Sequence, residues 1–131
     1  VTVVATSSAA VVPAGGAVTL WADVTPDPKV HVYAQGATEF TPVSLSATPS
    51  PQLRAGAPQY PKPELAASPG ALVGVPSYTQ AFRIALPATV QAGAASGSHI
   101  TVAAVLTYQA CDDRLCYPTS TAPVNWTVQV K

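Results

Sequence analysis

Cys111 and Cys116 are the two cysteines of the chain, and four residues lie between them, Asp112-Asp113-Arg114-Leu115. Thiols this close in sequence have two obvious uses, a disulfide or a metal. A disulfide closing so small a ring stabilises a fold by only about 2 kcal/mol in the chain-entropy picture, less than a bridge between distant strands. It is a weak staple and a serviceable reversible bond. Four residues is a common hairpin loop. Directly opposed residues of an antiparallel pair sit about 4.5–5.5 Å apart at Cα, which overlaps the range a disulfide accepts. Such a bond can open and close with little backbone movement. The alternatives are a plain turn-stabilising disulfide, or a zinc site needing His31 and His99 to converge on both sulfurs without the paired-knuckle spacing such sites use. A bridge joining two sheets needs cysteines tens of residues apart, which this pair is not.

The flanking charges bear on reactivity. Asp112 and Asp113 disfavour a thiolate beside them, and Arg114 offsets them in part. Neither a helix N-terminus nor a Cys-x-x-Cys motif is present to lower a thiol pKa. The expectation is a dithiol that reacts slowly on its own and a disulfide opened by the thiolate of a docked partner. Tyr33, Tyr108 and Tyr117 are candidates to pack around the sulfurs and form the docking surface. His31 would tune thiol protonation if its strand lies beside the hairpin, although a lone strand histidine is more often structural.

The elements that must position these residues are strands. Ala17 to Val24 alternates, with Val18, Leu20, Ala22 and Val24 on one face, and Val43, Leu45 and Ala47 do the same. Phe82, Ile84 and Leu86 form a third such face. His99 to Tyr108 is the longest apolar strand candidate and runs into the cysteines, and the last strand turns Val124, Trp126, Val128 and Val130 inward. Shorter β-type runs cover Val1–Ala5, Ala10–Val12 and Val30–Ala34. Between Pro49 and Pro76 prolines and glycines rule out a continuous central strand and predict long ordered loops with one edge strand. Short alternating segments without helices between them predict an all-β fold, an immunoglobulin-like antiparallel β-sandwich with a long Pro/Gly-rich loop region, over a single domain, 1–131. Trp21 and Trp126 are packing residues in this scheme.

Composition excludes several classes. Six basic residues balance six acidic ones, which removes the electrostatic case for a nucleic-acid partner. No apolar run approaches the roughly 18 residues that span a bilayer, so no direct membrane insertion is expected of this segment. Only 9% of residues are charged, so few charges oppose association with another protein. No nucleophile–base pairing or phosphate loop suggests hydrolase or nucleotide chemistry, and thiol–disulfide exchange calls for no cofactor. An even cysteine count in a Thr/Pro-rich β-protein points to an oxidising compartment. A start at Val1 without a leader is what a mature protein or an excised domain would show.

Tyr108-Gln109-Ala110-Cys111 followed by Cys116-Tyr117-Pro118, placed late between two strands, resembles the N-terminal periplasmic domain of the thiol:disulfide interchange protein DsbD and its relatives. Val30-His31-Val32-Tyr33-Ala34 with Thr41-Pro42-Val43-Ser44-Leu45, and Tyr60-Pro61-Lys62-Pro63-Glu64, are looser matches in the same order. The resemblance implies an immunoglobulin-like domain in the bacterial periplasm, tethered to the inner membrane through a following domain. Its activity would be that of a protein-disulfide reductase. Cys111 and Cys116 would be the redox pair, taking electrons from a thioredoxin-like domain and passing them to periplasmic disulfide oxidoreductases. Cys116 would be the more exposed sulfur and the site of the mixed disulfide. A shielding loop would lie within Glu64 to Tyr78. The sequence departs from the pattern in a cysteine spacing one residue shorter than in the best-known members, in Thr119 where a second proline is common, and in a cap segment without aromatics. Leu65, Leu72 or Val73 would then have to cover the sulfurs. The competing function is a non-catalytic binding or adhesion β-sandwich whose disulfide only pins a hairpin.

Overall fold

The computed structural model describes residues 1–65 and 74–131. Three antiparallel strands build the first sheet: β1 (Thr2–Ser7), β3 (Ala17–Thr25) and β9 (Phe82–Val90), with the short β6 (Leu53–Ala55) on the far edge, in the order β1-β3-β9-β6. The second sheet pairs β10 (His99–Tyr108) with β12 (Ser120–Val130) along their length, and adds β5 (Ser44–Ala47) on one side and β2 (Val11–Val12) on the other. β2 runs parallel to β12 while the other pairings are antiparallel.

Period-two alternation explains the layering. β3 buries Val18, Leu20, Ala22 and Val24; β9 buries Phe82, Ile84, Leu86, Ala88 and Val90; β10 buries Ile100, Val102, Ala104 and Leu106; β12 buries Val124, Trp126, Val128 and Val130. These side chains form one core between the two sheets, and each fully buried Val, Leu or Ile contributes about 1.5–3 kcal/mol. Trp126 also crosses it by a hydrogen bond, its Nε1–H donating to the Trp21 carbonyl at 3.0 Å. Trp21 itself packs on the outer face, under the Arg83 guanidinium at 4.3 Å. The immunoglobulin-like β-sandwich expected from the patterning is the fold observed, and the described residues contain no helix.

A third sheet departs from expectation. β4 (His31–Tyr33), β7 (Glu64–Leu65), β8 (Pro76–Tyr78) and β11 (Ala110–Cys111) pair in the order β11-β4-β8-β7. The stretch from Pro49 to Pro76 was expected to hold one edge strand. It contains β6 and β7, and Pro76 opens β8. Strands of two or three residues have no periodicity to read, and their prolines sit at strand ends or between strands, where no ladder N–H is lost.

The cysteine hairpin is also displaced from the expected position. The main β10–β12 ladder closes at Tyr108↔Ser120. Residues 109–119 then leave it, and β11 turns away to pair with β4. Cys111 therefore lies on the third sheet, with one residue, Gln109, between β10 and its strand β11, and Cys116 is bridged to Cys111.

Candidate functional site

Each sulfur owes its environment to its strand position. β11 lies between β4 and the returning chain, so Cys111 faces His31 on one side and Cys116 on the other. Cys111 is fully buried, whereas Cys116, on the outer limb of the turn, is exposed. The two are joined by a disulfide with their Cα atoms 3.9 Å apart, closer than the opposed spacing expected from sequence.

Cys111 sits in a small apolar pocket of its own, formed by Tyr33 and Ala37 with Phe40 and Val75 packed against them. The Phe40 ring stacks on Tyr33, centroids 4.3 Å apart and planes 6° from parallel. A tight turn after β4 makes this possible. Gly36 adopts φ 100°, a left-handed conformation that glycine enters without a Cβ penalty, and the Ala37 amide donates to the Ala34 carbonyl at 3.1 Å. The chain thereby doubles back and lays Ala37 and Phe40 beside β4. Gln109 ties this loop to the hairpin: its Oε1 accepts from the Thr41 amide at 2.9 Å, and its Nε2 donates to the Tyr117 carbonyl at 3.2 Å. Thr119, where proline is common in the resembling family, makes a 2.8 Å hydroxyl–hydroxyl hydrogen bond with Thr41.

His31 occupies the register position opposite Cys111 and is only 8% exposed. Its Nε2 lies 3.2 Å from the Tyr33 hydroxyl. Burial pushes the imidazole pKa down, and the negative charge of Asp112 opposes that shift in part. Burial, then the Glu39 carboxylate, pushes the Tyr33 phenol up. The zinc arrangement does not form: His99 opens β10 while the cysteines follow its other end, about 30 Å away along an extended strand.

The turn between the sulfurs is built on Asp112. Its Oδ1 accepts from the amides of Arg114 and Leu115, both at 2.8 Å, and its Oδ2 accepts from the Tyr117 hydroxyl at 2.7 Å. The Asp112 amide donates back to the Leu115 carbonyl at 2.9 Å. Hydrogen bonding by Tyr117 first, then by the two amides, holds this carboxyl down at about 2, and the same contact raises the Tyr117 phenol.

The residues singled out in the sequence are thus partly assembled. Tyr33 lines the Cys111 pocket, and Tyr117 is exposed beside Cys116 with its hydroxyl committed to Asp112. Tyr108 packs against the main sandwich core. Leu65 is 68% exposed on β7, separated from β11 by β8 and β4; Leu72 and Val73 lie outside the described residues. The aromatic against the Cys111 pocket is Phe40, from the loop after β4, and Val75 joins it from the segment expected to supply the cap. Phe40, Ala37 and Val75 were not singled out, and the turn-forming role of Asp112 was missed. For Asp112 a signal existed, since Asp commonly bonds backbone amides further along a turn. For Phe40 the only signal was an aromatic isolated in a loop.

Chemically, the arrangement presents one sulfur to an attacking thiolate and hides the other as the leaving group. A thiolate released at Cys111 would be poorly solvated, which favours its protonation.

The family model described as thiol:disulfide interchange protein DsbD, N-terminal, matches residues 1–127. Among solved structures, the N-terminal domain of DsbD from Neisseria meningitidis in its reduced form superposes with a TM-score of 0.53 at 20% identity, covering 97% of this chain and 90% of that one. The N-terminal periplasmic domain of ScsB from Proteus mirabilis gives a TM-score of 0.49 at 16% identity, over 92% of this chain and 43% of that one. No curated protein sequence matches.

Proposed function

The chain belongs to the family of DsbD N-terminal domains, and from that membership we propose that residues 1–131 form a single periplasmic redox domain acting as a protein-disulfide reductase through Cys111 and Cys116. A thioredoxin-like domain is the electron donor, periplasmic disulfide oxidoreductases are the acceptors, and a following domain provides the membrane tether.

The observation that carries this reading is the unequal exposure of one disulfide, Cys116 open and Cys111 fully buried. The donor's thiolate attacks Cys116 Sγ, and the Cys111–Cys116 bond breaks. Its electron pair goes to Cys111 Sγ, which takes up a proton. The donor's second thiol then attacks the mixed disulfide and releases Cys116 as a thiol. The donor leaves oxidised and the domain leaves with two thiols. Towards an acceptor the same steps run in reverse, Cys116 attacking the acceptor's disulfide and Cys111 resolving the intermediate. Leu115 and Tyr117, 54% and 43% exposed beside Cys116, supply apolar surface for both encounters. The pocket of Tyr33, Ala37, Phe40 and Val75 keeps Cys111 from being attacked.

A Cys111→Ser variant leaves Cys116 unpaired and should trap a purified thioredoxin-like protein as a mixed disulfide, whereas Cys116→Ser should trap at least tenfold less. The wild-type reduction potential should lie near those of cellular dithiol carriers. A potential below about −300 mV, typical of structural bridges, together with no trapping, would assign the domain to the binding or adhesion class instead.

A further inference from the structure

The carboxylate of Asp112 accepts three hydrogen bonds within the ring that the disulfide closes and at its rim: from the amides of Arg114 and Leu115 and from the hydroxyl of Tyr117. Two backbone bonds run alongside. The Asp112 amide donates to the Leu115 carbonyl and the Tyr117 amide to the Ala110 carbonyl, both at 2.9 Å. Together these five contacts span the sulfurs from both sides without using either. They define the turn between the cysteines inside the loop and hold the limb carrying Cys116 against the limb carrying Cys111 outside it. Hydrogen bonds to an ionised acceptor are about twice as strong as neutral ones, so this is a stiff connection for a surface loop.

A connection of this kind matters most when the covalent one is absent. In the disulfide form the S–S bond already restricts the two limbs, and the Asp112 contacts add little to their proximity. In the dithiol form no covalent cross-link spans the limbs, and the loop is free to spread unless something else holds it. We propose that Asp112, with Tyr117, is a positioning residue that keeps the two thiols juxtaposed in the reduced domain and thereby sets how readily the pair closes again. This deepens the exchange function proposed above and rests on it. Loss of the contacts lets the dithiol form gain conformations that the disulfide form cannot reach. The equilibrium then moves towards the dithiol, and the domain becomes a weaker reductant.

The test is equilibration of the whole domain with glutathione and glutathione disulfide. Two glutathione thiols form one glutathione disulfide and pass two electrons and two protons to the Cys111–Cys116 bond, which becomes two thiols. Asp112→Ala should shift the equilibrium constant about tenfold towards the dithiol, equivalent to about 30 mV for a two-electron couple. Tyr117→Phe keeps the carboxylate and removes one contact, and should shift it the same way by about threefold, or about 15 mV. Asp112→Asn retains an acceptor for the two amides and should fall between Asp112→Ala and wild type. Asp113→Asn removes a charge one residue away and should leave the constant unchanged. Tyr117→Phe is the mildest of these changes and keeps the test available should Asp112→Ala not fold. The inference is overturned if Tyr117→Phe and Asp112→Ala equilibrate like wild type. It is equally overturned if Asp113→Asn shifts the constant as far as Asp112→Asn, which would make charge rather than connection the cause. Failure of the exchange function would look different: the wild-type disulfide itself would not be reduced at any accessible glutathione ratio.

Discussion

His31 and Cys111 meet as register partners across β4 and β11, and this places an imidazole, 8% exposed, beside a fully buried sulfur. Burial lowers the His31 pKa in the folded chain, so the unfolded chain takes up a proton near pH 6.5 while the folded one resists it. The sign follows from linkage: this contribution to stability is complete above about pH 6.5 and is lost as the pH falls below it towards the depressed folded value. Urea midpoints measured from about pH 7.5 down to about 5 should therefore decline, and His31→Gln should flatten that decline. Asp112 acts in the opposite sense, because its negative charge favours the protonated ring. Asp112→Asn should make the decline steeper. A single residue thus reads out whether the Cys111 pocket stays dry in solution.

At the scale of elements, the pocket depends on a loop more than on a strand. β4 supplies Tyr33, but the turn at Gly36 returns Ala37 and Phe40 to it, and Gln109 and Thr119 anchor that loop at Thr41. Phe40→Ala removes the ring stacked on Tyr33. It should cost about 2 kcal/mol, below the range for a fully buried phenylalanine because Phe40 is only half-buried. The same change should raise the alkylation rate of Cys111 in the reduced domain several-fold while leaving Cys116, already exposed, nearly unaffected. Peptide mapping after timed iodoacetamide treatment measures both sulfurs at once. An unchanged Cys111 rate would show that Phe40 does not protect that sulfur.

Across the whole molecule, the main core and the Cys111 pocket are separate clusters, although the third sheet adds Val32, Tyr78 and Ala110 to the core. The large apolar side chains of β3, β9, β10 and β12 are buried between the first two sheets, while Cys111 lies on the third. Trp126 links the two sandwich sheets through its hydrogen bond to the Trp21 carbonyl. Trp126→Phe removes that hydrogen bond and leaves a gap beside the Trp21 carbonyl, and should destabilise the domain by about 2 kcal/mol. At a few degrees per kcal/mol for a domain of this size, thermal denaturation should show it clearly. The glutathione equilibrium of the cysteine pair should not move, since no part of the pocket rests on Trp126. A change in both would show that the sandwich and the third sheet are coupled.

The sandwich was legible because alternation needs no partner to be read: Val18 to Val24, Phe82 to Leu86, His99 to Tyr108 and Val124 to Val130 each carry their buried face in the chain itself. The cysteine pair was legible for a similar reason, since its chemistry depends on residue type and spacing, and its family membership on the residues that frame it. Those are local properties. The third sheet was not legible, because strands of two or three residues have no period and exist only through their pairing. The same holds for Phe40 and Val75, which come from distant loops, and for His31, whose place opposite Cys111 depends on a register between residues far apart in sequence. By itself, the sequence determined that this is a β-sandwich with two cysteines spaced for a hairpin disulfide. The family resemblance already pointed to Cys116 as the more exposed sulfur; only the tertiary structure decided what hides Cys111, because burial depends on the neighbours that folding brings together.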